Sequence, residues 1–256
     1  MLARYLAAGL VLVLGARAGL AQTAADHIAK GDSAHAALRA PEAYAHYKEA
    51  IALDSNNYEA LWKASREAVD LGEFEPDKAK QKEYYAEGRQ YAERAVAVKP
   101  DDAEGHFTLA RALGRVALSV GKKERVKYAK QIRSEALAAL QYDSVHAGAL
   151  HVMGRWNAEI MRLSGFSRFF AKNFLGGGVF DQASWDSAVV YMERSVQHDP
   201  KRLVHHLDLG EIYRDRNARG DKERARAELE AVVNGQELDY NDKFYKKQAQ
   251  TDLDKM

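Results

Sequence analysis

Two short stretches between residues 147 and 200 decide the fold of this chain. The first is Ala147-Gly-Ala-Leu-His-Val-Met-Gly-Arg-Trp156, and the second is Trp185-Asp-Ser-Ala-Val-Val-Tyr-Met-Glu-Arg-Ser-Val-Gln-His-Asp-Pro200. A small residue, Gly154, lies midway along the first stretch, and Pro200 ends the second, where a helix cannot continue. The two stretches therefore have the pattern of paired helices, A and B, in one unit of a helical repeat. One such pair cannot bury its apolar face alone, so stacked neighbours are predicted on both sides.

The same pattern recurs along the chain at a fixed step. In each case the small residue of helix A lies 10 residues after the end of the preceding helix B. The pairs are Ser55 and Ser65, Pro100 and Ala110, Ser144 and Gly154, and Pro200 and Gly210. Small residues at these points let neighbouring helices approach closely. The sequence predicts an all-α fold, a tetratricopeptide-like α-solenoid of about five helix-hairpin repeats with lengthened hairpins.

The repeat boundaries follow from this register. The five repeats open near Thr23, Tyr58, Ala103, Ala147 and Leu203. After the last repeat, residues 242–253 form a predicted polar helix that caps the end, as a solenoid requires.

The first 21 residues have the features of an export signal. Arg4 provides the positive start, residues 6–14 a short apolar core, and small residues precede a cleavage site before Gln22. The apolar run is shorter than the roughly 20 residues that span a bilayer. We expect a signal peptide at residues 1–21 and a helical-repeat domain at residues 22–256, located in the periplasm. The alternative is an uncleaved signal that anchors the protein in the membrane.

The composition excludes several classes of function. The chain has 38 basic and 37 acidic residues, so no global charge favours nucleic acid or an anionic membrane. It has no cysteine, which excludes disulfides and a lipid-anchored lipoprotein, and export without disulfides fits a bacterial periplasm. The nine histidines form no set with metal-ligand spacing, and Gly176 to Gly178 lack the context of a phosphate loop. We predict no enzyme, no metal and no cofactor.

Three motifs resemble the regulator of microtubule dynamics family. They are Leu61-Trp-Lys-Ala-Ser-Arg66, Ala92-Glu-Arg-Ala-Val96 and Met153-Gly-Arg-Trp156, within a resemblance from about Tyr58 to Asp252. The resemblance implies a tetratricopeptide-like helical domain and a non-catalytic adaptor. Some members are associated with microtubules or with lipid handling at organelle contacts. The export signal is a departure from the family, because a periplasmic protein meets no microtubules.

Two rows of side chains on the A helices are the predicted ligand-binding residues. Directly after the small residue, three successive repeats carry Arg66, Arg111 and Arg155, and the fifth repeat carries Glu211. Four positions earlier, the same repeats carry Trp62, Phe107 and His151, and the fifth carries Leu207. Together these rows predict a concave groove with an aromatic wall and a basic stripe, suited to a peptide segment or an anionic lipid.

A structural interpretation of both rows stays open. Each arginine could instead pair with a neighbouring acid, for which the candidates are Glu59, Glu104 and Glu159. Likewise, the aromatic side chains could serve helix packing alone.

The insert after Trp156 is a second candidate surface. Its phenylalanines fall at helical spacing opposite two basic residues, which predicts an amphipathic helix. The residues are Phe166, Phe169, Phe170 and Phe174, with Arg168 and Lys172 on the other face. This helix could close the groove as a lid, touch a membrane transiently, or pack on the next repeat. The leading expectation is a binding module for a protein or peptide, with anionic lipid as a second ligand. The alternative is an assembly subunit that docks through this helix.

Overall fold

The structure, a computed structural model, describes residues 22–165 and 178–256. Over these residues it is helical, and a short 3-10 helix spans Gly178–Gln182. The α-helices are α1 (Ala24–Ala36), α2 (Ala40–Leu53), α3 (Tyr58–Glu73), α4 (Lys78–Val98), α5 (Ala103–Ala117), α6 (Lys122–Tyr142), α7 (Ala147–Arg162), α8 (Trp185–His198), α9 (Leu203–Arg216), α10 (Asp221–Asn234) and α11 (Asp242–Leu253).

These helices pack in sequence as five hairpins followed by a single helix. The hairpins are α1/α2, α3/α4, α5/α6, α7/α8 and α9/α10. Each A helix also contacts the B helix that precedes it, and α3, α5, α7 and α9 contact one another in series. The predicted tetratricopeptide-like α-solenoid is therefore confirmed. Among the described helices, none is both long and apolar enough to cross a membrane.

Most helices begin where a polar side chain accepts a hydrogen bond from a backbone N–H of the first turn. Such a cap satisfies a donor that has no partner within the helix. The capping residues are Thr23, Asn57, Asp77, Asp102, His146 and Ser184. The turn between α9 and α10 uses left-handed residues instead, with φ of 51° at Asn217 and 81° at Gly220. Local sequence therefore sets the helix boundaries.

The small residues of the A helices lie at close contacts within the hairpins. A Cβ added to Gly154 would lie 3.0 Å from the Met192 methyl and 3.2 Å from the Ala188 carbonyl oxygen. At Gly210 the nearest atom would be Leu229 Cγ at 3.0 Å. Small residues fit these points because a larger side chain would press against the facing B helix.

A histidine contact joins repeats at two seams. His106 on α5 and His206 on α9 each approach a glutamate of the helix B in their own hairpin and the carbonyl oxygen of the proline that follows the preceding helix B. The Nδ1 distances are 2.6 Å to Glu135 and 2.6 Å to Glu228, and the Nε2 distances are 2.9 Å to Pro100 and 2.9 Å to Pro200. We call each of these a histidine clamp. The two clamps show that equivalent repeat positions can make the same contacts.

The final helix caps the last repeat as predicted and also makes a longer-range contact. It spans Asp242–Leu253 as expected, and Tyr245 and Ala249 join a buried cluster with Leu203 and Leu229. A terminal cap needs only this packing on the last repeat. However, the residues at its start also reach α3, in the second repeat, so the helix closes the inner side of the solenoid.

Candidate binding face on the inner helices

The inner face is the surface formed by α3, α5, α7 and α9. Residues 238–245, which we call the crossing segment, lie across it. The Asn241 side-chain amide donates a hydrogen bond to the carbonyl oxygen of Asp70 at 3.0 Å. The Tyr245 hydroxyl donates to Glu73 at 3.0 Å. These two contacts join positions more than 170 residues apart, so the solenoid is closed rather than open along this side.

Two further contacts hold the crossing segment. The Phe244 ring stacks on Phe74 at the end of α3, with ring centroids 4.4 Å apart and planes 18° apart. Arg202, which precedes α9, forms an ion pair with Asp239 at 2.5 Å. The segment is therefore recognised through a carboxylate, a side-chain amide and an aromatic ring.

Arg111 lies under this segment in a buried ion-pair network. Its guanidinium donates a hydrogen bond to Asp70, which is only 3% exposed. Burial acts to raise the pKa of Asp70, but the charge of Arg111 and this hydrogen bond outweigh it and the pKa is lowered. One helical turn onward, Arg115 pairs with Glu73 at 2.5 Å. Burial and the nearby Asp70 both raise the pKa of Asp239 above its usual value.

Arg155 lies in a second network further along the face. It donates a hydrogen bond to Asp208 on α9 and lies 3.4 Å from Glu159 on its own helix. The Nε2 atom of His151 lies 2.9 Å from Asp208. Burial acts to raise the pKa of Asp208, but Arg155 and His151 outweigh it, and the pKa lies well below its usual range.

His205 adds a buried ring to this network. It is 4% exposed, and its ring centroid lies 4.9 Å from that of His151. Burial, with His151 and Arg202 acting in the same direction, lowers the pKa of His205 well below its ordinary value. Within the described residues, the Nδ1 atoms of both rings and the Asn241 Oδ1 atom are buried without a hydrogen-bond partner.

The first arginine of the row has a different environment. The guanidinium of Arg66 lies over the Trp62 ring, 5.3 Å from its centroid, and pairs with Glu67 at 2.9 Å. His35 on α1 approaches the same buried carboxylate at 2.9 Å. A cation on an aromatic face with a buried acid beside it is a stable arrangement by itself, so Arg66 is held in place before any ligand binds.

Phe107, the other aromatic residue of the predicted groove, packs against neighbouring side chains. Phe107 fills the space beside Gly148, where an added Cβ would lie 2.5 Å from the ring. Its ring centroid also lies 4.8 Å from that of His146. Phe107 therefore packs between α5 and α7.

The six predicted groove residues thus lie on the A helices, where each makes the contacts described above. Of the predicted acid partners, Glu159 contacts Arg155, whereas Glu59 pairs with Lys63 and Glu104 with His146. The residues missed were Asp70 and Asp208. Asp208 has no acid at the equivalent position of the other A helices. Asp70 shares its position with Glu159 and Asp215 but pairs with an arginine of the next repeat, so periodicity alone does not identify either pair.

The other predicted surface cannot be placed. Phe166, Arg168, Phe169, Phe170, Lys172 and Phe174 all lie outside the described residues. In the parts of the chain that are described, no group of three or more His, Asp or Glu residues could hold a metal ion. The inner face instead offers ion pairs, amide contacts and aromatic stacking, which suit binding.

Comparison with known proteins places the chain in a family. A family model described as regulator of microtubule dynamics protein 1-3 matches residues 23–256. Regulator of microtubule dynamics protein 1 of Bos taurus is 24% identical over 148 residues, which cover 57% of this chain and 46% of that protein. Regulator of microtubule dynamics protein 3 of Xenopus laevis is 24% identical over 116 residues, or 45% and 25%. The chain thus spans half or less of these relatives' lengths.

A solved structure supports the same fold. The chain resembles a thermophilic TPR protein of Thermus thermophilus with a TM-score of 0.62 and 17% identity, over 90% of this chain and 100% of that one. At this identity the likeness concerns the fold alone. The family model, in contrast, matches nearly the whole sequence. On that evidence the chain belongs to the regulator of microtubule dynamics protein 1-3 family.

Proposed function

We propose that this protein is a non-catalytic adaptor of the periplasm whose inner face binds a peptide segment of a partner protein. The observation that supports this most directly is the crossing segment. The inner face already holds residues of its own chain through a carboxylate, an amide and an aromatic ring. A surface that orders one stretch of polypeptide has the groups needed to order another.

The three predicted arginines differ in how exposed their side chains are to such a ligand. The side chains of Arg66, Arg111 and Arg155 are 16%, 21% and 37% exposed. Arg155 is therefore the most available to a ligand carboxylate, and its planar guanidinium can bind one through two parallel hydrogen bonds. Arg66 and Trp62 would contact the ligand toward the first repeat.

The binding proposal can be tested by crosslinking in cells. Arg155 would be replaced by a photo-crosslinking amino acid, with Arg226, an exposed residue of α10, as the matched outer position. We expect mass spectrometry to recover peptides of a partner protein from position 155 and far fewer from position 226. Equal recovery at both positions would contradict the proposal, and phospholipid alone at position 155 would favour the anionic-lipid alternative.

The location has a separate test. The features of residues 1–21 support export and cleavage before Gln22. We expect the mature protein to begin at or near Gln22 and to be released by osmotic shock, as N-terminal sequencing of that fraction would show. Recovery of uncut protein from membranes after a high-salt wash would instead support the membrane-anchored alternative.

A further inference from the structure

The crossing segment is held in two different ways along its length. At its end, Tyr245 packs with Leu203 and Leu229 in a buried apolar cluster that belongs to the last repeat. Before that point, its contacts with α3 are a hydrogen bond from Asn241 and the half-exposed Phe244 ring on Phe74. Both contacts are weak beside the apolar cluster, because one neutral hydrogen bond contributes only about 1 kcal/mol net and the Phe244 ring is only partly buried. The first part can therefore detach while the apolar part of α11 remains packed.

Closure also leaves polar groups unsatisfied. Asp239 and Asp70 are buried near each other, and Arg202 and Arg111 are shared between them. Within the described residues, the Oδ1 atoms of Asn241 and Asp242 are buried without a hydrogen-bond partner. Buried acceptors without donors weaken the state that contains them. A partner segment that supplied the same groups with better geometry would compete with the crossing segment for the face.

Resting on the proposed function, we propose that residues 238–244 are an intramolecular ligand that a partner segment displaces. The partner segment would present the same chemistry on a turn that leads into a helix, as residues 238–244 do. It needs a carboxylate for Arg202, a side-chain amide for the carbonyl oxygen of Asp70, and an aromatic ring for Phe74. The partner class is thus an acidic peptide that carries an amide residue and an aromatic residue.

The test adds the crossing segment as a separate peptide. A fluorescent peptide with the sequence of residues 236–247 is titrated against the full chain and against the double variant Asn241→Ala/Phe244→Ala. Loss of the Asn241 and Phe244 contacts should free the part of the face that residues 238–244 cover, so we expect the peptide to bind the double variant at least tenfold more tightly than the parent. Lys247→Ala, an exposed change in the same helix, is the matched control and should bind like the parent.

A second variant keeps the test decisive if the first variant does not fold. Asp239→Asn removes the ion pair with Arg202 from the segment side and leaves the receiving face, including Phe74, intact. It should also strengthen peptide binding relative to the parent. A peptide that carries the two alanine substitutions should bind none of the proteins. Equal affinity for the parent and both opened variants, or no binding to any of them, would overturn the proposal.

The absence of cysteine allows the reverse experiment. In the double variant Phe74→Cys/Phe244→Cys, the two introduced thiols are the only ones in the chain. In the reduced form the peptide can still bind through the Asp70 carbonyl and Arg202; oxidation should lock the segment on α3 and abolish this binding, and reduction should restore it. Binding that survives oxidation would contradict displacement. If crosslinking at position 155 recovers partner peptides while the trans peptide never binds, displacement fails and the proposed function stands.

Discussion

The histidine clamps and the inner face use the same helices but follow different rules. His106 and His206 occupy equivalent positions and make equivalent contacts, with matching distances of 2.6 and 2.9 Å. Arg111 and Arg155 are also equivalent, yet Arg111 pairs with Asp70 in the preceding repeat and Arg155 with Asp208 in the following one. Repetition therefore fixes where a side chain lies, whereas the acid that pairs with it differs from one repeat to the next.

This contrast assigns different energetic roles to the two regions. Each clamp joins neighbouring repeats at the surface, so its loss should be local and modest. The inner-face pairs are buried and connect with the crossing segment, so the loss of one partner should leave a charge without compensation. Four substitutions test this ordering, and they are given from the largest expected effect to the smallest.

The largest effect is expected at Asp70. Asp70→Ala removes the carboxylate that neutralises Arg111, and breaking a buried ion pair in this way typically costs about 3–5 kcal/mol. Chemical denaturation of the parent and variant measures this loss of unfolding free energy. Glu159→Ala is the matched control, because Glu159 also pairs with an arginine but is 54% exposed, and its loss should cost about 1 kcal/mol or less. Equal losses in the two variants would mean that the inner face is no different from the surface.

The second-largest loss of stability is expected at the contact between α7 and α8. Gly154→Leu places a branched side chain against Met192 and the Ala188 carbonyl, and such overpacking typically costs about 1–3 kcal/mol. Thermal unfolding should show a lower Tm than the parent. Gly114→Ala is the control, since no atom lies within 4 Å of the added Cβ, and alanine favours the helix there by roughly 0.5–1 kcal/mol. A Gly154→Leu protein that melts like the parent would show that this contact is loose.

A smaller, pH-dependent effect is expected at His206. The hydrogen bond to Glu228 raises the pKa of this ring above its ordinary value, with burial opposing. Both ring nitrogens face acceptors, so the charged ring satisfies both. Its contribution, about 1 kcal/mol for a hydrogen bond, is fully present below a pH of about 6.5 and is lost as the pH rises through the raised pKa.

Denaturation of His206→Ala at a series of pH values measures this contribution. The stability difference from the parent should be largest in acid and shrink as the pH rises. Gln197→Ala, an exposed and non-titrating change near the end of α8, should show no comparable trend. A difference that instead grew toward alkaline pH would show that the neutral ring makes the contact.

The smallest change in stability is expected for Arg155→Lys. Lysine keeps the charge beside Asp208 and Glu159, so the unfolding free energy should fall by less than about 1 kcal/mol. Lysine lacks the planar fork, so binding of a carboxylate-bearing peptide, measured by titration, should weaken. Unchanged binding with a clearly lower Tm would assign Arg155 a structural role only.

The sequence predicts the features that repeat, and for a physical reason. The step from Pro200 to Gly210 recurs because every hairpin must end one helix and admit the next closely. The register of the A helices and the start of α11 at Asp242 follow from the same local signals. The predicted site residues lie on the inner helices because that placement is also periodic.

What the sequence does not predict are the contacts between residues that lie far apart in the chain. Asp70 resembles any acid on a helix, and the run from Asp239 to Asp242 resembles an ordinary polar helix start. Their contacts depend on how far the solenoid curves, which is the sum of small rotations at every seam. No single stretch of sequence encodes that sum.

The crossing segment also has a consequence for how many repeats this protein can contain. In an open solenoid each repeat touches only its neighbours, so a repeat can be gained or lost with little effect elsewhere. Here the hydrogen bond from Asn241 to Asp70 closes over a fixed number of hairpins. An added or deleted hairpin between α3 and α9 would carry the two groups apart, because each repeat adds both rise and rotation. Insertions within a hairpin leave that distance intact. The chain between α7 and α8 is therefore a place where length can vary, while the number of repeats is held constant.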